Sequence, residues 1–340
     1  MDKYILLGKS FEELKTWTLA QGLPSYTASQ LFEWIYRKPA KSFDEMTNIS
    51  LQNRALLKEK SELGIYPPIQ KSTSKDGTIK YLFPSREGYG VEAVYIPESH
   101  RATLCVSSQA GCKMNCIFCM TGRMGFKAQL SAGEILNQIL SLPQGASLSN
   151  IVFMGMGEPA DNIDAVIQSL NLLTSPRAMA WSPRRITVSS IGVLPGLKRL
   201  LDETRCHIAI SLHSTDAAQR LAWMPAQKTW PLLSTIELLK TYDFSKQRRL
   251  SFEYIMFKNL NDRIEDAKAL LRMLNGLRCR LNLIRFHAFP ESELRGSDEE
   301  QIQSFATYLN NKGLQTTIRQ SRGEDVQAAC GMLSSQYKSG

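Results

Sequence analysis

The stretch Cys112-Lys113-Met114-Asn115-Cys116-Ile117-Phe118-Cys119 follows a β-rich segment at 102–107 and puts three thiols in a CxxxCxxC spacing on one short loop. Thiolates this close suit a soft metal or an iron–sulfur cluster. Three ligands to a four-iron cluster leave one iron open to a substrate. A zinc site takes four ligands, or three and a water, and more often shows paired CxxC units. Cys105 is near enough in sequence to be a fourth ligand, so structural zinc stays an alternative on spacing, as does a redox pair of Cys116 and Cys119.

The chain around the loop sets its architecture. Expected strands at 150–154, 185–189, 207–212, 250–257, 281–286 and 315–319 alternate with expected helices near 131–142, 163–174, 195–204, 231–243, 263–274 and 298–311. Such alternation implies parallel βαβ units. With 103–107 as a first strand, the pattern fits an α/β fold built on a full or partial (β/α) barrel, whose chemistry sits at the C-terminal strand ends. An open doubly wound sheet is the alternative. Upstream, after Pro67 and Pro68, segments at 79–83, 92–96 and 102–107 read as a β extension, with a turn at Asp76-Gly77 ahead of the first. Residues 1–65 read as a small helical domain. Capping boxes are expected at Ser10/Glu13 and Ser42/Glu45. Phe11, Leu14 and Trp17, then Leu31, Phe32, Ile35 and Tyr36, recur at helical spacing. The expected organisation is a helical domain at 1–65, a β-rich linker at 66–100 and a barrel with a C-terminal cysteine segment at 101–335.

Composition narrows the class. Of 340 residues, 43% are apolar and 21% charged, which is a core-forming balance. No apolar run approaches the roughly 20 residues of a membrane span. Lys9, Glu12, Glu13 and Lys15 interrupt any signal-peptide core, so a cytoplasmic protein without membrane contact is expected. The net charge of +9 divides into +1 over residues 1–100 and +8 over 101–340. A basic excess in one part points to a polyanion, most commonly nucleic acid. Arg184-Arg185, Lys198-Arg199, Lys246 with Arg248-Arg249, and Arg319 with Arg322 are candidates for phosphate contacts, although each pair also describes an ordinary solvated face. Seven cysteines, an odd number, argue against a disulfide scaffold.

With an aromatic residue before its last cysteine, at the first strand of a barrel, the loop resembles that of the radical S-adenosylmethionine (radical SAM) superfamily. Other motifs sharpen the resemblance: Arg101 to Gln109, Gly155-Met156-Gly157-Glu158-Pro159, Ile210-Ser211-Leu212-His213, Ile255-Met256 and Ala328-Ala329-Cys330-Gly331 occur in that order. Together they resemble the RlmN/Cfr family of rRNA adenine methyltransferases from the N-terminal helices to about residue 335.

The resemblance implies that Cys112, Cys116 and Cys119 hold one 4Fe-4S cluster. Its open iron binds SAM, and two SAM molecules are consumed per turnover. SAM-binding positions carried over are Gly157, Glu158, Ser189, Ser211, Leu212 and His213. Glu158 is suited to accept from the SAM ammonium, and Gly157 to let backbone approach a ligand. His287 stands where the family commonly has Asn, and each of its ring nitrogens can take one hydrogen bond.

In the family, the cysteine matching Cys330 takes a methyl group from one SAM, and a second SAM yields the radical that activates that methyl group. The carbon so formed adds to the adenine. Cys105 matches the cysteine that resolves the bridged product through a transient disulfide, and Glu92 the base for the C2 proton. The implied reaction is C2 methylation of adenine 2503 in 23S rRNA, with adenine 37 of some tRNAs as a further substrate of the C2 branch.

The C8-methylating branch is the alternative within the family. Arg101–Cys105 and Pro159 resemble the C2 branch, whereas Ser182 to Arg185, Ile191-Gly192 and Leu283-Ile284-Arg285 also resemble the C8 branch. A zinc-stabilised, non-catalytic RNA-binding protein is the alternative from another class, and it has no use for Cys330. The expected partners are 23S rRNA, tRNA and an electron donor such as flavodoxin, and a monomer is expected.

Overall fold

The computed structural model describes residues 3–246, 248–289, 292–334 and 337, so the expected barrel limit at 335 lies outside the described residues. At the N-terminus, β1 (Tyr4–Ile5) leads into α1 (Phe11–Ala20), α2 (Thr27–Tyr36) and α3 (Leu51–Lys60). The segment closes where β2 (Ser61–Glu62) pairs in parallel with β1. Ser10 caps α1 as expected: its Oγ accepts from Glu13 N, and Glu13 Oε2 accepts from Ser10 N at 2.8 Å. The second expected box fails. Phe43–Glu45 is a single 3-10 turn, because the chain leaves helical geometry at Met46 (φ −78°, ψ 66°) and buries Met46 and Ile49 instead. Leu14, Leu31, Phe32, Ile35 and Tyr36 form the core of this region, as their spacing predicts.

Next, β3 (Gln70–Thr73), β4 (Ile79–Pro84), β5 (Gly90–Glu98) and β6 (Arg101–Cys105) form an antiparallel meander. A short hairpin, β7 (Gln109–Gly111) with β8 (Phe126–Gln129), brackets the cysteine loop and the one-turn helix α4 (Met120–Arg123). After α5 (Ala132–Leu140) the βα alternation runs through β9 (Asn150–Phe153), α6 (Ile163–Thr174), β10 (Ile186–Ser190), α7 (Leu194–Glu203) and β11 (His207–Ser211). It continues with α8 (Ala217–Trp223), α9 (Leu232–Lys240), β12 (Leu250–Met256), α10 (Ile264–Met273), β13 (Arg280–Arg285), α11 (Glu299–Asn311) and β14 (Thr316–Ile318).

These make one ten-stranded sheet in the order β14-β13-β12-β11-β10-β9-β6-β5-β4-β3. The seven strands from β6 to β14 are mutually parallel, and β6 is where the antiparallel extension joins them. All seven contribute side chains to one cavity of about 660 Å³. The parallel sheet therefore curves into an open, partial barrel, as the strand–helix alternation predicts, rather than lying as a doubly wound sheet. Strand periodicity divides the residues: on β12, Ser251 and Glu253 face the cavity while Phe252 and Tyr254 pack outward into the core. Among the described residues no helix is long and apolar enough to cross a membrane.

Candidate active site

The cysteine loop is held from three sides. At its base Cys112 N donates to Gly125 O (3.2 Å). At its middle Ile117 N donates to Trp223 O at the end of α8 (3.0 Å). Past its last cysteine, Met120 N donates to Gly331 O (2.8 Å) and Thr121 Oγ1 to Leu333 O (2.7 Å). The last two bonds pin the segment carrying Cys330 against the loop. Asn115 adopts φ +50° inside the loop, a conformation that asparagine tolerates better than most residues.

All seven cysteines are free thiols. Cys112, Cys116 and Cys119 all face the cavity. Burial pushes Cys112 up to about 12 and raises Cys116 and Cys119, and the neighbouring thiols raise all three further. Three buried thiols that oppose one another's ionisation are a donor set awaiting cationic charge, and a 4Fe-4S cluster supplies it. Among the described residues no three His, Cys, Asp or Glu side chains converge as a single ion requires. Thiolates that each ligate a different iron need no common point. Cys105, the possible fourth zinc ligand, faces Cys330. Cys206 is buried in the core and Cys279 half-buried, apart from the site.

The SAM-binding candidates meet the loop across the cavity. Gly157 has φ +95°, and a Cβ there would come within 2.5 Å of Gln109 Cβ, so the turn after β9 admits only glycine. That turn presents Glu158, whose Oε1 accepts from Ala160 N and Oε2 from Ile191 N, both at 3.1 Å. Burial nonetheless pushes its carboxyl up to about 7. Ser189 lines the cavity from β10, and Ser211 from the end of β11.

His213 adopts φ +56°; its Nδ1 accepts from Ile255 N (3.1 Å), and its ring meets Phe118 edge-on at 5.0 Å. Burial, with Arg220 adding to it, pushes this imidazole down to about 3, so it is neutral and turns its Nε2 hydrogen away from the strand. Leu212 differs from its neighbours: its side chain is fully buried in the core and off the cavity wall, leaving only its backbone near the site. His287 does line the cavity. Its ring spans Ser321 Oγ (2.7 Å) and Glu324 Oε2 (3.5 Å), joining the end of β13 to the C-terminal segment.

Glu158 carries a pH prediction. Only its ionised form attracts an ammonium, and a carboxyl near 7 is about one-tenth ionised one unit lower. With about half of the carboxyls ionised at pH 7, SAM affinity of the reconstituted protein should fall roughly fivefold between pH 7 and pH 6, and Glu158→Gln should flatten that dependence. Anaerobic equilibrium dialysis at the two pH values checks it, and an unchanged slope in the variant sinks it.

Cys330 is exposed to the cavity yet deep in the fold. It lies in a turn, with Gln327 (φ +52°) and Gly331 (φ +84°) reversing the chain on either side. Burial raises its thiol and the Arg319 guanidinium opposes that rise, as it does at Cys105, which burial pushes up to about 12. Glu92 is the exception among the expected catalytic residues. Its side chain is not on the cavity wall; its Oε1 pairs with Lys80 Nζ (3.1 Å), and its Oε2 accepts from Ser334 N (2.8 Å).

Two further residues escape the sequence reading. Arg220, 1% exposed, donates to Leu212 O, Ser211 O and Ile191 O at 3.0–3.1 Å and to Gln227 Oε1, so it holds the turns after β10 and β11. Arg220→Met strands those carbonyls, and it should cost about 3–5 kcal/mol in urea unfolding. A loss below about 1 kcal/mol would contradict this role. Glu253 is the other, a buried acid on β12 facing the cavity.

Several of the residues expected to bind phosphate find protein partners instead. Lys198 bonds to Asp202, and Arg199 to Glu203 and Asp164. Arg248 is buried on the carbonyls of Leu201 and Thr204, and Arg319 borders the cavity with its Nη1 3.9 Å from Glu253 Oε2, beyond hydrogen-bond reach.

Comparison with known proteins agrees with this geometry. Residues 106–273 match the Radical SAM superfamily, and residues 5–63 match the Ribosomal RNA large subunit methyltransferase N-terminal domain. The chain is 57% identical to the probable dual-specificity RNA methyltransferase RlmN of Parabacteroides distasonis, covering 98% of this chain and 97% of that protein. It is 39% identical to the dual-specificity RNA methyltransferase RlmN of Syntrophobacter fumaroxidans, over 96% of both. A solved radical SAM methyltransferase from Sphaerobacter thermophilus superposes with a TM-score of 0.91 at 36% identity, covering 97% of this chain and 98% of that one. The curved parallel sheet, the three-thiol loop and likeness over nearly the full length of these relatives place the chain in the RlmN family of radical SAM methyltransferases.

Proposed function

We propose that this protein methylates C2 of adenine 2503 in 23S rRNA and of adenine 37 in tRNA, through an S-methylated Cys330. One observation carries the reading: Cys330 is open to the same cavity as Cys112, Cys116 and Cys119, and its backbone neighbours are bonded to the cysteine loop. A zinc-stabilised binding protein would use that thiol as a ligand, yet among the described residues no three His, Cys, Asp or Glu side chains converge as a single ion requires.

When bound, the cluster and SAM supply a methyl cation equivalent and, in the second half of turnover, a carbon radical. The chain's own residues do the rest. Glu158 holds the SAM ammonium, and Ser189 and Ser211 offer hydroxyls from adjoining strands. Cys330 attacks as thiolate, which the Arg319 guanidinium favours. Carrying the methyl on sulfur answers a polarity problem, because adenine C2 is an electron-poor amidine carbon and will not attack SAM directly. Cys105 then closes on Cys330 as the bridged product separates. Glu92, tied to the Cys330 segment through Ser334 N, is the proposed base for the C2 proton, so its reach depends on where that segment lies. The protein is proposed to act as a cytoplasmic monomer with a flavodoxin-like one-electron donor.

Nucleoside mass spectrometry tests the reading. Unmodified 23S rRNA incubated anaerobically with reconstituted protein, SAM and reductant should yield 2-methyladenosine. The C2 expectation draws on Pro159 after Gly157-Glu158, on Arg101–Cys105, and on the RlmN relatives at 53–57% identity. A yield of 8-methyladenosine would move the protein to the C8 branch, and neither product from rRNA or tRNA would overturn the reading.

A further inference from the structure

Glu253 is anomalous for a buried strand residue. It is 4% exposed, faces the cavity, and lies in register with Ser211 on β11 and Asn282 on β13. Its Oε1 accepts from Asn282 Nδ2 (2.7 Å) and Ser251 Oγ (3.2 Å). Its Oε2 is buried and accepts no hydrogen bond. The nearest cation, Arg319 Nη1, is 3.9 Å from that oxygen, too far to hydrogen-bond it. Leaving a buried carboxylate oxygen unmatched is costly, and an active-site cavity explains it when a ligand completes the set.

Arg319 is equally incomplete. Its Nη1 donates to Met154 Sδ (3.3 Å), while Nε and Nη2 have no acceptor among the described residues, and the side chain borders the cavity. Its charge acts on Cys330, Glu253 and Cys105, so it is a shared neighbour of the methyl-carrying thiol and the orphan carboxylate.

We propose that Glu253 and Arg319 read the amidine edge of the target adenine, Arg319 donating to ring nitrogen N1 and the free Glu253 oxygen accepting from the N6 amino group. Along that edge the atoms run C2, N1, N6, and a base with C2 at Cys330 brings N1 and N6 toward these two side chains. Guanine reverses the pattern, with a donor at N1 and an acceptor at O6, and meets a cation and an anion both wrongly placed. Flipped or unpaired bases are commonly read on this edge. The inference rests on the proposed C2 chemistry.

The test compares substrates within each protein, which separates recognition from folding damage. Short hairpin RNAs carry adenosine, purine riboside (no N6 amine) or 1-deazaadenosine (no N1) at the target position. Binding to the unreconstituted protein is read by fluorescence anisotropy, and single-turnover methylation is read with reconstituted protein. Wild type should favour adenosine by about tenfold or more over either analogue. In Glu253→Ala the preference over purine riboside should collapse toward unity with that over 1-deazaadenosine retained; Arg319→Met should do the converse.

Full discrimination in both variants, with unchanged SAM affinity, overturns the proposal. The SAM adenine presents the same edge. Weakened SAM binding and lost Cys330 methylation without RNA, at undiminished RNA discrimination, would assign the pair to the cofactor and overturn its assignment to the RNA base. Should wild type bind adenosine RNA selectively yet form no 2-methyladenosine, the C2 reading fails and the edge-reading result stands apart from it.

Discussion

Cys330→Ala should retain the iron and sulfide of the reconstituted wild type while methylation of RNA falls by roughly 10⁴-fold or more, the scale on which enzymes lose activity with their nucleophile. The prediction follows from how Cys330 is held. Its segment is fixed by Gly331 O and Leu333 O on Met120 N and Thr121 Oγ1, and by Ser334 N on Glu92. None of these contacts uses the Cys330 side chain, so alanine removes the sulfur without releasing the segment or the loop. Cys119→Ala, by contrast, removes one of the three donors, and both iron and activity should go. Iron and sulfide assays beside nucleoside mass spectrometry make the comparison, and normal turnover by the Cys330 variant would end the S-methyl route.

That contrast between two thiols was legible in the sequence because each lies in a short motif. The strand–helix alternation was legible for a related reason: β9 to β14 and their helices obey local periodicities, and their observed limits fall within a few residues of those expected. Structure set by distant partners was not. Strand β3 is polar and largely exposed, and it pairs only at the outer edge of the sheet, so no apolar alternation announces it. Helix α8 has seven residues, too few for a helical period to stand out, and its Arg220 gains meaning only from carbonyls on two other strand ends.

Ser42 and Glu45 mislead because a capping box specifies a helix start, while burial of Met46 and Ile49 decides whether a helix continues. Glu253 did leave a signal. Strands buried on both faces read as nearly continuous apolar runs, and an acid inside Leu250–Met256 breaks that rule. Because burying a charge is costly, an acid at such a position is a candidate for function on the strand pattern alone.

Cys105→Ala should trap the enzyme on its RNA. Cys105 ends β6, almost fully buried, with Cys330 beside it across the cavity wall. A bridged product joined to Cys330 needs a second thiolate to take over that sulfur as the bond to carbon breaks, and alanine offers none. The variant should therefore carry out the first methyl transfer and the addition to adenine, then stall. A denaturing gel should show a protein–RNA band absent from wild type, with released 2-methyladenosine down by about 100-fold or more.

The pH dependence gives a second check. Burial places the Cys105 thiol near 12, with the Arg319 charge working against that shift, so the ionised fraction at neutral pH is small and grows with pH. In wild type the resolving step should accelerate as pH rises, while the stalled band in Cys105→Ala should persist at every pH. Adding Cys330→Ala to the variant should abolish the band, because no bridge can form. Free methylated RNA at wild-type yield from Cys105→Ala would remove Cys105 from the resolving role and leave its burial against Cys330 as packing alone.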